Sequence, residues 1–579
     1  MTEHIAITYN LGASTLRRKY SSFQNMANGL SIPNEFSLKM ATTPEFLAIA
    51  GYERRLNSVY ASTQLSFDNT IFLDMTARND WTSTLKAPHS YFYPSVGMSA
   101  IFNELLQMPA WVNFGKIRAS YTQVGNDADP YLLRQLYSFG LGAGNGFISR
   151  SPIKAIPDLK PELTKSFEAG LDMKFFGNRL GFDLTLYKSN TVNQLLFLGL
   201  PMASGYSRQY INAGDIENRG LELQLMATPI KSEHFSWETT LNFASNTNKI
   251  IALHDKTKRA NITDNNRYAT VVVNEGEKYG DLYGYAWKRD PQRGKFVVDG
   301  SGLPVVEANQ KLGNFNPKAL LGWSNSFSYK GFTLNTLVDA RIGGEIVSGT
   351  SAYLAAFGVA DYTSMYREGG LVLDAVDANG AANTQAITAQ QLWTRVSQNG
   401  RDGWGEFFTY DMTNVRLREL SITYRLDLKN TSVFKNAGLS LTGRNLFLST
   451  AENPNWIYRE LGRQKPDRPR GCAGSWQLSG CGSWTTTVGT DIRAKLKINL
   501  LTVVNMRRNM LYGALLGLSL ISCSKDFDRI NSDPNNITVI TQRELPFMFA
   551  KAQSSAAMNR SFTKPYRILA PISMDSILH

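Results

Sequence analysis

Histidine and cysteine are almost missing from this sequence: five and three of them in 579 residues. Cys472 and Cys481 stand nine apart, with no second pair and no histidine at ligand spacing, which argues against a zinc site. Spacing alone does not say whether the two form a disulfide. No metal and no cofactor is expected. An apolar run of about twenty residues, the length a membrane helix needs, does not occur before residue 500. If that part crosses a membrane, it must do so as a barrel of strands. No catalytic constellation stands out, and the chain is not expected to be an enzyme. Gly140 to Gly146 reads G-L-G-A-G-N-G, but neither a helical pattern nor Lys-Ser/Thr follows, which argues against a phosphate loop. A signal peptide does not open the chain; Met1-Thr-Glu-His-Ile-Ala already reads as strand interior. The net charge is +13, yet Lys and Arg are scattered, with no basic helix and no nucleic-acid motif. That balance points at most to an anionic lipid surface.

Aromatics and glycine are plentiful: 30 Phe, 25 Tyr and 46 Gly. Such a composition suits one large antiparallel β structure, and β-sandwiches share it. The stretch Asn212 to Leu225, N-A-G-D-I-E-N-R-G-L-E-L-Q-L, separates the alternatives. Its first half reads as a turn, with Gly214 and Gly220 supplying backbone freedom and Asp215 and Asn218 bonding their own backbone. In its second half Leu221, Leu223 and Leu225 point one way, and Glu222 and Gln224 the other. Such a strand separates either a core from water or lipid from a wet lumen.

Similar arms recur along the chain. Ser21 to Pro44 reads as a polar loop, and strands follow at Tyr52 to Phe67, Ile71 to Arg78 and Trp111 to Tyr121. Ser166 to Phe175 and Leu180 to Tyr187 form a hairpin about Phe176-Gly-Asn-Arg179. Further arms lie at Gly220 to Ala227, Trp237 to Ala244, Gly322 to Tyr329, Phe332 to Ala340, Val415 to Leu426, Gly438 to Asn445 and Ile492 to Leu500. Tight turns alternate with long polar stretches such as Asp255 to Gly276 and Ala355 to Gly403, which read as structureless. Compact domains rarely carry several such stretches, whereas outer-membrane barrels do. The pattern predicts roughly fourteen to sixteen strands of about ten residues each.

Eight segments, in order, resemble the SusC/RagA-type TonB-linked outer-membrane transporters of Bacteroidetes. They are Thr76-Ala-Arg-Asn-Asp-Trp-Thr-Ser-Thr-Leu85, Tyr91-Phe-Tyr-Pro-Ser-Val96, Ile117-Arg-Ala-Ser-Tyr-Thr-Gln-Val-Gly-Asn-Asp127, Asn212 to Glu222, Gly280-Asp-Leu-Tyr-Gly-Tyr285, Lys311-Leu-Gly-Asn-Phe-Asn-Pro317, Val415-Arg-Leu-Arg-Glu-Leu420 and Gly443-Arg-Asn-Leu-Phe447. The resemblance spans residues 20 to 460. It implies an all-β fold, the C-terminal portion of a transmembrane barrel of about 22 strands in the Gram-negative outer membrane. It also implies TonB-energised uptake of oligosaccharides or peptides beside a SusD-like surface lipoprotein. The family's signal peptide, carboxypeptidase-like domain, TonB box, plug and first strands have no counterpart in this sequence. A barrel without its first strands exposes two edges to lipid, so the sequence reads as a fragment.

The end of the chain departs from the family. Residues 1–500 read as the partial barrel and 501–505 as a junction. In 506–523, two arginines, about a dozen apolar residues and Leu520-Ile-Ser-Cys523 make a lipoprotein signal with Cys523 as the lipid attachment site. Residues 524–579, opening with Lys525-Asp-Phe-Asp-Arg-Ile-Asn-Ser-Asp-Pro-Asn535, resemble the start of a SusD-like lipoprotein. One gene read through into the next explains the join. Gly462 to Val488 lacks alternation and reads as a local frameshift.

Of the candidate site residues, Glu222, Asp339 and Arg341 are expected to line the lumen, where charge tunes selectivity. Arg78-Asn-Asp-Trp81 is read as a strand end at the membrane interface before a ligand contact. Tyr353, Phe357, Trp393 and Trp404, in long loops, either stack on sugar rings or pack the loops, the latter favoured for each. Which residues bind ligand is not readable. Two other functions compete with the energised transporter: a passive porin, and a SusD-like binding lipoprotein defined by residues 506–579.

Overall fold

The computed structural model describes residues 4–140, 146–253, 257–262, 268–364, 366–400, 403–427, 434–450, 491–500 and 527–531. Fourteen strands form one sheet: β1 (Ile5–Leu30), β2 (Ala41–Phe67), β3 (Ile71–Thr82), β4 (Ser90–Ile101), β5 (Val112–Asn126), β6 (Glu162–Phe175), β7 (Leu180–Val192), β8 (Asp215–Lys231), β9 (Phe235–Ala252), β10 (Ala319–Tyr329), β11 (Phe332–Ile342), β12 (Asn414–Asp427), β13 (Phe434–Thr450) and β14 (Asp491–Leu500). Each pairs antiparallel with the next in chain order, an up-and-down meander.

The side-chain period of two sorts the sheet into two faces, and the pairing register carries that sorting across strands. One row runs Ile117, Leu171, Leu184, Leu223, Phe243, Leu321, Ala340 from β5 to β11. One residue along, the opposite face reads Lys116, Asp172, Asp183, Gln224, Asn242, Gly322, Asp339, Arg416. The apolar face has no protein cover: Ile117 is 54% exposed, Leu441 54% and Trp323 47%. Aromatics gather where the connections are short. Trp111 stacks with Phe175 at 5.7 Å, Trp237 with Phe327 at 5.7 Å, and Phe332 lies 4.3 Å from Tyr424. An apolar band edged by aromatics is the lipid-facing surface of a membrane barrel. Among the described residues no helix is long and apolar enough to cross a membrane.

From β4 to β11 the connections alternate in length. Those after β2, β4, β6, β8 and β10 are brief (68–70, 102–111, 176–179, 232–234, 330–331), while those after β5, β7, β9 and β11 are long (127–161, 193–214, 253–318, 343–413). In the 176–179 turn Phe176, Gly177 and Asn178 all have positive φ, the demand that Gly and Asn meet at least cost.

Three expectations need correction. Of Ser21 to Pro44, only 31–40 is a loop: the β1–β2 ladder continues past a bulge at Gln24/Asn25 to Leu30 opposite Ala41. Backbone pairing extends those strands to 26 and 27 residues without needing apolar alternation. Asp215 to Gly220 is not a turn either. Only Gly214 has positive φ there, at +90°, and β8 is paired on both sides from Asp215 onward. Asp215 and Asn218 bond across strands, Asn190 donating to the first at 2.8 Å and Asn246 to the second at 3.0 Å. Gly220 is needed for space, because a Cβ there would lie 2.2 Å from the ring of Tyr187 on the neighbouring strand.

Third, the long connections are structured. Arg259–Asn261, Thr270–Asn274, Asp281–Trp287 and Val306–Asn314 form a four-stranded sheet. Two helices, α1 (Gly349–Ala356) and α2 (Ala389–Ser397), lie in the 343–413 connection. Thr388 and Gln391 close a capping box at the start of α2, and Leu392, Trp393 and Val396 form its buried face. That face joins Trp287, Phe296, Trp404, Phe407 and Phe408 in one apolar cluster. Trp287 stacks on Phe296 at 4.1 Å and donates its indole N–H to Val297 O at 2.7 Å. The result is a packed cap at the long-loop end. Gly140 to Gly146 falls between the arms of a small hairpin, Tyr137–Gly140 and Phe147–Arg150, with 141–145 outside the described residues. The readings of Cys472, Cys481, Gly462 to Val488 and Met506 to Cys523 also lie outside them.

Candidate functional site

The polar face of the wall brings together side chains from many strands at one level. Arg118 of β5 reaches over Gly170 of β6, where a Cβ would sit 2.5 Å from its Nε. It donates to both carboxylate oxygens of Asp183 on β7, at 2.6 and 3.2 Å, and to Thr185 Oγ1 at 2.6 Å. A two-pronged guanidinium–carboxylate contact fixes direction as well as charge. Glu222 lies opposite Thr185 in the register, and Gln224 donates to Asn242 at 2.9 Å. These groups border a concavity of about 600 Å³. A second concavity, of about 290 Å³, is lined by Thr240, Ser324, Ser326, Asn335 and Glu419.

Asp339 and Arg341 continue the same rows: Arg341 is level with Glu222 through Ala244 and Leu320, and Asp339 with Gln224 through Asn242 and Gly322. The three residues expected in the lumen therefore share one face. Arg416 and Arg418 of β12 converge on Asp339 at 3.1 and 2.9 Å, and Arg444 pairs with Glu419 at 3.0 Å. Arg341 donates to Phe315 O at 2.6 Å. Asp339 Oδ1, Asp172 Oδ1, Arg341 Nε and Arg416 Nε are buried without a hydrogen-bond partner among the described residues. Arg118, Asp183 and Arg416 were not singled out from sequence. Their signal is phase: each occupies the polar step of an alternating strand.

Arg78-Asn-Asp-Trp81 does structural work. Asp80, 3% exposed, accepts from Arg78 at 2.7 Å and from the Tyr93 hydroxyl at 2.7 Å, tying β3 to β4. Nearby, Asp127 accepts from Arg54, from Thr82 at 2.5 Å and from Thr84 at 2.9 Å. Of the four loop aromatics, Trp393 and Trp404 are buried in the cap core, whereas Tyr353 is 40% exposed and Phe357 75%. Phe357 borders a cleft of about 440 Å³ with Arg367, Gln390 and Thr394. In the cap, burial works against the charge on Lys311. The hydrogen bond and charge of buried Asp281 outweigh it and hold the ammonium above the ordinary lysine value. Among the described residues, no three His, Cys, Asp or Glu are grouped to hold a metal.

An up-and-down wall with a lipid-facing apolar band, a polar inner face and long connections at one end defines a transmembrane β-barrel class. Residues 4–363 match the family described as TonB dependent receptor-like, beta-barrel, and the chain belongs to it. It is accordingly an outer-membrane protein. TonB-dependent receptor P3 of Formosa agariphila is 27% identical over 447 residues, covering 71% of this chain and 43% of that receptor. TonB-dependent receptor SusC of Bacteroides thetaiotaomicron is 24% identical over 337 residues, 55% of this chain and 31% of SusC. The RagAB peptide transporter superposes with a TM-score of 0.60 at 21% identity, covering 78% of this chain and 50% of that one, a likeness of fold. The chain spans less than half the length of these two receptors.

Proposed function

We propose that residues 1–500 supply the wall and external cap of a SusC/RagA-type transporter, energised through TonB, that takes up oligosaccharides or peptides with a SusD-like lipoprotein. The observation that carries this reading is the chemistry of the inner face. Its charges are largely paired with one another, as in Arg118–Asp183, Arg416–Asp339 and Arg444–Glu419. Between them lie Thr185, Gln224, Asn242, Ser324, Ser326 and Asn335, neutral groups that donate and accept hydrogen bonds. Such a surface suits ligands rich in hydroxyls or amides, hence sugars and peptide backbones, better than ions of one sign. RagAB, whose fold the wall shares, is a peptide transporter. We further propose that 501–505 join two proteins, that 506–523 are a lipoprotein signal, and that 524–579 begin the partner, with lipid on Cys523 when that part is separately translated.

The passive porin is the second reading, favoured by the concavities that open on the polar face. Uptake of a labelled maltoheptaose and a labelled octapeptide by cells producing the longer receptor whose wall residues 1–500 would supply, plug and TonB box included, separates the two. Collapse of the proton-motive force is expected to abolish uptake of whichever is carried. Uptake indifferent to the collapse overturns the TonB-energised reading in favour of a passive pore.

A further inference from the structure

A short helix, Phe527–Ile530, lies against the long-loop end of the wall, some four hundred residues along the chain from the groups it meets. Phe527 is fully buried, its ring edge-on to His89 with centroids 5.5 Å apart. Ile530 and Asn531 are also buried, and Asn531 Oδ1 accepts the backbone N–H of Tyr131 at 2.8 Å. The socket is held by bonds that do not involve its visitor. Ser83 N–H donates to Arg55 O at 3.0 Å and Arg55 N–H to Ser83 Oγ at 3.1 Å, pinning the 83–89 turn to β2. His89 Nδ1–H donates to Leu85 O at 2.6 Å, which sets the orientation of the ring. Both His89 and Tyr131 have positive φ, at +64° and +69°, conformations that persist only where surrounding structure enforces them. Glu53 N–H donates to the Tyr131 hydroxyl at 3.0 Å and fixes the second wall of the socket.

We propose that this socket is the docking site for the first residues of the mature surface lipoprotein, read here as Phe527-Asp-Arg-Ile-Asn531, in this chain and equally when that lipoprotein is a separate chain. The proposal rests on the reading of 524–579 as a lipoprotein start. Phe527 is the aromatic anchor, and Asn531 sets the register by accepting the Tyr131 N–H. Covalent geometry adds a consequence. Phe527 is four steps along the chain from Cys523, so an acylated Cys523 lies within about 14 Å of the socket. Its lipid must then enter the outer leaflet beside β2–β5, tethering the lipoprotein at one side of the rim.

Amide hydrogen exchange on the full chain in lipid vesicles tests this. Phe527→Ala is expected to speed exchange of the Tyr131 amide at least tenfold, with β3 and β4 protection unchanged as the control for folding. Asn531→Ala is expected to do the same at Tyr131. Added peptide of residues 524–535 should restore protection to the Phe527→Ala chain, and the same peptide with Phe527→Ala should not. Unaltered Tyr131 exchange in both variants, or a peptide that restores nothing, overturns the docking site. Mass analysis for acyl chains on Cys523, in cells given the second segment as its own reading frame, reports on the lipoprotein reading alone. An unacylated Cys523 with an intact peptide effect sinks that reading and leaves the socket.

Discussion

The wall and the cap are built from one chain with the apolar residues sorted oppositely. In the wall, Ile117, Trp323 and Leu441 are about half exposed while Ser58, Asp80 and Asp127 are buried. In the cap, Trp287, Trp404 and Phe408 are 1% exposed or less, and the charges of Lys258, Lys295 and Arg289 face outward. The strands themselves are alike in backbone terms; what differs is the solvent each face meets. Lipid replaces a core for the wall, so a strand there needs only neighbours on either side. The cap stands in water and must bury its own aromatics to hold its shape. One region is stabilised by its surroundings, the other by its interior.

The largest effect that separates them is expected at Trp404. Trp404→Ala should cost the cap about 3–5 kcal/mol through the lost burial and the cavity left behind. Protease should then cut within 253–318 and 343–413, while the wall keeps its heat-modifiable migration in gels. If the wall melts with the cap, the two regions are one cooperative unit and the comparison fails. Next comes Leu223→Arg, which places a charge against lipid and should cost about 2–4 kcal/mol near the bilayer midplane. Gln224→Arg, one residue along and facing the lumen, should cost little. Urea unfolding from vesicles measures both, and equal costs would mean the faces have been assigned wrongly.

Those paired substitutions work because the alternation of Leu221 to Leu225 is legible without any structure. The same holds for the arms from Tyr52 onward and for the shared face of Glu222, Asp339 and Arg341. A period of two is local information. What was not legible depends on partners distant in the chain. Ser21 to Leu30 looks like a loop until its ladder with 41–51 is seen. The role of Gly220 requires knowing that Tyr187 lies across from it. Trp287 and Trp404 meet in one cluster although more than a hundred residues separate them, so the connections between them read as polar and shapeless. The pairing of Arg118 with Asp183 likewise follows from register two strands apart, not from either sequence.

Gly220→Ala sharpens the wall side of the comparison at smaller scale. The added methyl would sit 2.2 Å from the Tyr187 ring, which must swing aside and give up its 3.2 Å hydrogen bond to Asn246. A ring can move where backbone cannot, so the expected loss is about 1 kcal/mol, the worth of that bond. Tyr187→Ala in the same chain should remove the penalty. A penalty that survives Tyr187→Ala would show that backbone, not the ring, is what glycine accommodates.

The smallest effect belongs to the cap alone and is read by pH. In the folded cap the Lys311 ammonium, 2.5 Å from Asp281, holds its proton above the ordinary lysine range, which begins near about 10.4 in the unfolded chain. A folded group that binds its proton more tightly adds stability that is complete below the unfolded pKa and lost as pH rises through the folded one. Lys311 is about half exposed, so solvent screens the pair and the loss is modest. Amide exchange in Asp281–Trp287 and Val306–Asn314 should therefore quicken above about pH 10.4, faster than the base-catalysed trend set by β6–β9 in the same sample. Lys311→Met removes the titrating group, and the cap should then follow the trend of the wall. It also strands the Asp281 carboxylate, which keeps the Asn314 amide at 2.8 Å but loses its countercharge, so the variant should start from a less protected cap at neutral pH. An alkaline acceleration that persists in Lys311→Met would assign it to another group and remove this ion pair from the account of what holds the cap.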